Sequence, residues 1–370
     1  MRFFSLVARN VVRQRLRTVL TILGIGIGVT TVIALGAITS GLKASSVEMA
    51  HTGGADFMVA QKGAADLSFS TLPASAIDEI RAAPGVSRAW GVLMHISRVG
   101  TVPFFFTYGI EPTEVGQLGL TLRSGGRMPQ GDGEIAIGAK AAEDLGVDTG
   151  ARLTIEHTTF EVVGVFDGGG RYEQIGGYAP LAAVQKLAQT GDTVTVVYVI
   201  VDRNVDPNTV KRRLEAASDR YATIATAAEY SEVDQGLEAL DAGNLAISML
   251  AVVIGAIGVM NTMIMSVFER TREIGVLRAV GWSGGRVVRM ILGESLVLCL
   301  IATVAGVGAG FAVTRAVLLV PAVGSFLSPA YPTSLFVRAV VIAVVVAIAG
   351  ALYPALRAVR LSPLEALRYE

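Results

Sequence analysis

The residues of this chain best suited to contact chemistry lie between Glu269 and Gly281, reading ERTREIGVLRAVG. Glu269, Arg270, Arg272, Glu273 and Arg278 place both signs of charge on one short segment, and Arg286 and Arg289 follow soon after. Long apolar runs flank the segment on both sides. A charge at the bilayer centre costs about 2.5–3.5 kcal/mol, so these residues belong at a membrane surface. So dense a pattern there reads as a surface made to touch a partner.

Other candidate chemistry is thin. His51, His95 and His157 stand far apart in sequence, whereas a zinc site needs tightly spaced ligands. No GxSxG motif is present, and no nucleophile sits beside an evident base. Glu156 and His157 read as decoration on a strand surface. Gly168, Gly169 and Gly170 lack the lysine and the helix start that a phosphate loop needs, and read as a flexible loop. Cys299 falls in an apolar run and reads as a small packing residue. Phe104, Phe105 and Phe106 read as core on one face, the outward-facing ring being available to line an apolar groove. The expectation is a chain with no catalytic residues, no metal and no cofactor of its own.

The elements that must position the charged segment are membrane spans. Of 370 residues, 52% are hydrophobic and 17% charged, against about 25% charged in soluble domains. Net charge is zero and no basic tract exists, so nucleic acid is not an expected partner. Charge-free windows lie between Arg17 and Lys43, Asp241 and Glu269, Glu294 and Arg315, and Arg338 and Arg357. Each reaches the roughly 20 residues that cross a hydrocarbon core, the last only just. The first is too long for a signal-peptide core and lacks a convincing cleavage pattern.

Arginines near the span ends set the expected orientation. Arg2, Arg9, Arg13, Arg15 and Arg17 precede the first span, Arg270 to Arg289 separate the second and third, and Arg357, Arg360 and Arg368 follow the fourth. The connection Leu318 to Val337 carries no charge. Both termini and the charged segment are therefore expected in the cytoplasm of a multi-pass protein of the plasma or inner membrane. The expected domains are an amphipathic cytoplasmic helix at 1–17, spans at 18–42, 242–268, 290–317 and 335–356, and an extracytoplasmic domain at 43–235. A cytoplasmic coupling helix at 269–289, a short outer loop at 318–334 and a cytoplasmic tail at 357–370 complete the chain. The N-terminal helix serves as an interfacial anchor or as a sliding collar that transmits motion. Gly24 with Gly28, and Gly306 with Gly310, are spaced for close helix approach.

Within 43–235 the pattern alternates. Phe57–Ala60 predicts a strand, Leu72–Ala83 a helix, and two strands meet near Gly100. Val194–Asp202 predicts a strand, Asp206–Ser218 a helix with an Asp cap and Pro at its start, and Tyr221–Thr226 a last strand. Between these halves, about 111–190, strands EIAIG, ARLTI and FEVVGVF surround a short helix ended by Gly146. The predicted class is an α-helical membrane protein with four transmembrane helices plus an α+β extracytoplasmic domain, a split βαβ layer with an inserted small β-rich module.

At this point the residues resemble a known family. ERTREIGVLRAVGWSGGRVVRMILGESLVL is similar to the signature loop of the macrolide-exporter-type ABC transporter permeases, also called FtsX-like or type VII. RLRTVLTILGIGIGVTTVIAL, SGGRMPQGDGEIAIG through FEVVGVF, and YPALRAVRLSPLEALRYE resemble its first span, outer-domain module and tail. The resemblance implies a non-catalytic subunit that pairs with a second permease, as homo- or heterodimer, and docks a cytoplasmic ABC ATPase carrying ATP and Mg. It implies that Glu269, Arg270, Arg272, Glu273, Gly275, Arg278 and Gly281 lie on or support that docking surface. It further implies mechanotransmission: ATP-driven closure is relayed through long helices to the outer domain, which exports or extracts an amphiphile such as a lipid, lipoprotein, peptide or antibiotic. The alternative is a relay that activates an extracytoplasmic cell-wall hydrolase or sensor, with an extracytoplasmic partner protein. Some members carry the ATPase on the same chain; here GxxxxGK[ST] is absent, so a separate ATPase chain is expected.

Overall fold

The computed structural model describes residues 15–360 apart from 65, 117, 325 and 326. Expectations for the N-terminal anchor before residue 15 and for the tail after 360 fall outside the described residues. In chain order the elements are α1 (Arg15–Ala50), β1 (Phe57–Gln61), β2 (Leu72–Pro73), α2 (Ser75–Arg81), β3 (Val86–Val99) and β4 (Val102–Ile110). Then come α3 (Pro112–Val115), β5 (Thr121–Leu122), β6 (Glu134–Gly138), α4 (Ala139–Leu145), β7 (Arg152–Ile155) and β8 (Thr158–Asp167). Next are α5 (Arg171–Gln174), β9 (Gly176–Pro180), α6 (Leu181–Ala188), β10 (Thr193–Val194), β11 (Val196–Val201), α7 (Pro207–Ala217) and β12 (Tyr221–Ile224). The chain closes with α8 (Ala227–Val233), α9 (Gln235–Glu269), α10 (Thr271–Ala279), α11 (Gly284–Leu318), α12 (Pro321–Gly324) and α13 (Thr333–Arg360).

Two compact units divide these elements. One holds the span portions, residues up to 40, 241–317 and from 329 onward. Among the described residues, its helices α1, α9, α11 and α13 are the four that are long and apolar enough to cross a membrane. At 36 residues, α1 exceeds a hydrocarbon core, since about 1.5 Å of rise per residue makes it ~54 Å long against ~30 Å of hydrocarbon. Small residues let the helices approach. A Cβ on Gly306 of α11 would lie 2.8 Å from the Gly26 carbonyl oxygen and from Val29 Cβ of α1, and one on Gly310 would lie 2.7 Å from Ile33. Gly28 meets Ala251 in the same way, whereas Gly24 faces open space. Hydroxyls add inter-helix hydrogen bonds: Thr21 and Thr262 share one at 2.6 Å, and Thr30 donates to the Gly306 carbonyl at 3.0 Å. In a bilayer such bonds and dispersion contacts, not water exclusion, drive helix association.

The other unit, Gly41–Leu240 with Leu318–Ser328, is a mixed α/β domain. Ten of its described strands form one sheet in the order β12-β1-β11-β3-β4-β9-β6-β8-β5, with β7 on β8, and β10 pairs with β2 in a separate two-stranded sheet. Neighbours are antiparallel except β4 with β9 and β6 with β8. Strand alternation sorts side chains between two cores. Phe57, Val59, Phe105, Val197 and Val199 point to one face, with Ala76 and Ile80 of α2, Val184 of α6 and Val210 of α7. Met58, Trp90, Phe106, Tyr108, Tyr178 and Tyr198 point to the other, where Met49, Tyr230 and Leu237 join them. This second core is ring-rich: Trp90 stacks on Tyr198 at 5.5 Å and Tyr108 on Tyr178 at 5.2 Å.

The structure sharpens the reading of the insert. Its strands continue the same sheet, because β9 pairs with β4 on one side and β6 on the other. The strand expected at Val194–Asp202 breaks at Thr195, whose hydroxyl accepts from the Met94 amide at 2.9 Å, and its two pieces pair with β2 and β3. The helix expected within Leu72–Ala83, entered after Pro73, runs from Ser75 to Arg81, and Leu72 and Pro73 before it are in β2. The Asp206 cap holds as read, its carboxylate accepting from the Asn208 amide at 3.3 Å.

Candidate functional site

Helix α10 carries the charged segment, and its two faces differ in kind. Thr271, Ile274 and Gly275 are buried, Ile274 within a cluster that includes Val267, Val287, Ala355 and Ala358. Thr271 anchors the first turn by donating to the Val267 and Phe268 carbonyls at 3.0 and 2.9 Å. Gly281 closes the helix at φ 96°, a backbone setting that a side chain would strain. The Trp282 amide then bonds back to the Leu277 carbonyl at 3.1 Å, the return bond of a Schellman-type end.

Two of the arginines hold this helix in place. Arg270 Nη1 donates to both carboxylate oxygens of Glu294 on α11, at 2.9 and 3.0 Å, and its Nε donates to Glu273 at 3.1 Å. Arg278 Nη1 donates to the Val359 carbonyl at 2.7 Å, placing a cation at the C-terminal end of α13 where the helix dipole is negative. Arg357 lies over the Phe268 ring at 5.2 Å.

Of the residues expected on the docking surface, Glu269, Arg272, Glu273 and Gly281 are exposed, while Arg270, Gly275 and Arg278 lie partly or wholly inside. Val276 and Val280 are exposed as well, at 45% and 78%. Two residues of helix turn Val276 away from the buried Ile274. Sequence reasoning missed Glu294, whose signal was available: a lone acid at the start of an apolar run requires a cationic partner.

A second feature lies in the mixed domain, a cavity of about 370 Å³. Its walls come from the last turns of α1, the start of α9, and strands β3 and β4 through Met94, Ile96, Phe104 and Phe106. Phe105, between those rings, is buried on the opposite face of the sheet. The groove expected of the outward phenylalanine is thus lined by two of the three. Asp66 and Asp234 also line it. Asp234 caps the first turn of α9, accepting from the Leu237 amide at 3.0 Å.

The loop at Gly168 to Gly170 leads into α5, whose Glu173 is buried. Both Glu173 oxygens are occupied, one by the Tyr178 hydroxyl and the other by the Gly170 amide. Burial nevertheless raises its pKa above the usual carboxylate value, outweighing those donors. Next to it, Arg171 Nη2 donates to the Gly324 and Leu327 carbonyls at 2.8 and 3.0 Å, tying the 318–328 connection to this domain. Sequence reading of the loop as flexible passed over this clamp. His95 pairs with Glu156 at 3.0 Å, and His51 bridges the Ala55 and Ala225 carbonyls. Among the described residues, no group of three His, Cys, Asp or Glu is placed to hold a metal.

Comparison with known proteins accounts for both units. The family model for the MacB-like periplasmic core domain matches residues 18–217, and that for the FtsX-like permease C-terminal region matches 245–363. The chain is 26% identical to the uncharacterized ABC transporter permease YvrN of Bacillus subtilis over 98% of both chains. It is 26% identical to the macrolide export ATP-binding/permease protein MacB of Pectobacterium atrosepticum over 99% of its own length, but spans only 60% of that relative. Among solved structures, the periplasmic region of MacB from Actinobacillus actinomycetemcomitans is 14% identical, covering 46% of this chain and 88% of that one, with a TM-score of 0.37. With one model covering more than half the chain and the other the spans that follow, this multi-pass membrane protein belongs to the MacB-like, FtsX-type family of ABC transporter permeases.

Proposed function

We propose that this permease works as a non-catalytic subunit that couples ATP hydrolysis on a separate cytoplasmic ATPase chain to motion of the mixed domain, outside the membrane. In this reading both termini and α10 face the cytoplasm, ATP and Mg are held by the ATPase, and a second permease completes the assembly. The observation that carries it is the division of α10. Its inner face is fixed by Arg270 and Arg278, and its outer face presents Glu269, Arg272, Glu273 and Gly281. A short helix rigidly joined to two span helices, with charges and Val276 and Val280 left outward, is suited to receive a partner's push. Long helices supply the rest: α1 and α9 are each unbroken over 36 and 35 residues.

The apolar cavity favours a transported amphiphile over a relay that only activates a cell-wall hydrolase or sensor. The docking assignment is tested by Arg272→Glu with Glu273→Arg in the full chain co-expressed with its ATPase. Loss of co-purification and of stimulated ATP turnover is expected; an ATPase that still binds and is still stimulated overturns it.

A further inference from the structure

The cavity in the mixed domain is lined mostly by apolar groups, and its charged lining is of one sign. Met94, Ile96, Phe104 and Leu240 give it an apolar wall, and Asp66 and Asp234 stand in that wall with no lysine, arginine or histidine among the lining residues. Its volume of about 370 Å³ lies within the roughly 300–1,000 Å³ of small-molecule sites. Asp234 is only 5% exposed. Burial raises its pKa, and the charge of Asp66 raises it further. Both carboxylates cap helical turns, Asp66 accepting from the Ser68 amide at 2.7 Å and Asp234 from the Leu237 amide at 3.0 Å, and no cationic side chain lines the cavity beside them. Two acids in an apolar wall are a standing electrostatic cost that a bound cation relieves.

We propose that this cavity binds an amphiphilic amine, with the apolar body against Met94 and Phe104 and the ammonium between Asp66 and Asp234. The proposal rests on the transport reading above and gives it a substrate class. A neutral amphiphile of the same length would gain the apolar contacts but bring the carboxylates no counter-charge, and an anionic one would be repelled. The cavity walls include Leu42, Ser46 and Met49 from α1 and Gly236 and Leu237 from α9. These same two helices carry spans, so a relative displacement of them would reshape the site.

The test uses the full chain with its ATPase in lipid nanodiscs and dodecylamine carrying a diazirine, with diazirine dodecanol as the matched control. Adducts are mapped by mass spectrometry after photolysis. Labelling of the peptides holding Met94, Phe104 and Leu240 is expected to favour the amine by about tenfold or more, the scale of one charge-assisted contact. Asp66→Asn with Asp234→Asn keeps the capping acceptors while removing the charge, and should reduce the amine to the level of the alcohol. Ile96→Lys, at a partly exposed position, sets a competing cation at the wall and should do the same if the double variant does not fold. Equal labelling by amine and alcohol in the unaltered protein, or a preference that survives these substitutions, overturns the proposal. If the amine fails to label while the ATPase remains bound and stimulated, the cavity assignment falls and the permease reading stands. If labelling follows the expected pattern while Arg272→Glu with Glu273→Arg leaves ATPase coupling intact, the docking assignment alone falls.

Discussion

Two buried glutamates in this protein are handled in opposite ways. Glu294, 9% exposed, meets the guanidinium of Arg270 through both of its oxygens. Glu173, 5% exposed, meets only neutral donors, the Tyr178 hydroxyl and the Gly170 amide. The first faces a partner of opposite charge, and that pair fastens α10 to α11. The second lies under a sheet of aromatic rings where burial favours its protonated form. The contrast shows two ways of burying a glutamate: beside a guanidinium at the base of α10, and among aromatic rings with neutral donors in the mixed domain.

Removing the cation from the first pair should produce the largest effect. Arg270→Ala takes the guanidinium away from both oxygens of the buried Glu294, at a cost of about 3–5 kcal/mol. Replacing both partners by apolar residues, Arg270→Met with Glu294→Leu, should recover most of that loss. Denaturant unfolding of the purified protein in detergent reads both variants. A single variant as stable as the parent would mean that the pair does not hold α10, and the contrast would fail.

The second glutamate should respond to pH in the direction opposite to that of an ion-paired carboxylate. Its folded-state pKa is raised by burial, so the folded protein binds this proton more tightly than the unfolded chain. Its contribution to stability is complete below the ordinary carboxylate value and is lost as pH rises through the raised one. Tyr178→Phe removes a donor that favours the charged form. It should cost about 1–3 kcal/mol at pH 8, where a buried oxygen is left without its bond, and clearly less at pH 5. Glu173→Gln should flatten the dependence. Thermal unfolding at the two pH values decides; equal losses at both would show that Glu173 is not the responding group.

How much of this was legible in the sequence follows from which forces act locally. The spans were legible because lipid admits no charge, so four charge-free windows mark four helices. The charged segment was legible for the same reason in reverse. Its division into inner and outer faces was not, because the partners that turn Arg270 and Arg278 inward, Glu294 and the Val359 carbonyl, lie 24 and 81 residues away. In the mixed domain, β9 was invisible. GGYAP holds two glycines and a proline, residues that ordinarily signal a loop. Yet Gly176 is required there, since a Cβ would lie 2.1 Å from the Phe106 carbonyl oxygen. Missing that strand hid how the inserted module joins the layer, which it does through β9 between β4 and β6. The cavity was half legible. Strand alternation separates Phe105 from its neighbours, but Asp66 and Asp234 reach the cavity through folding of segments 168 residues apart (234 − 66).

The smallest expected effect tests the outer face of α10. Arg272 is exposed and makes no ion pair among the described residues, and Glu273 meets only Arg270 at 3.1 Å, with its side chain 63% exposed. Exposed pairs of this kind contribute little to stability. Arg272→Ala should therefore leave unfolding within about 0.5 kcal/mol of the parent, while Arg270→Ala on the neighbouring inner face does not. This near-absence of effect carries information. A helix whose outer charges can be removed at no cost to folding has those charges available for a partner. Measured in the same detergent unfolding assay, a loss well above that figure would show Arg272 to be part of the folded scaffold. The outer face would then lose its standing as a docking surface, and the two faces of α10 would no longer differ in kind.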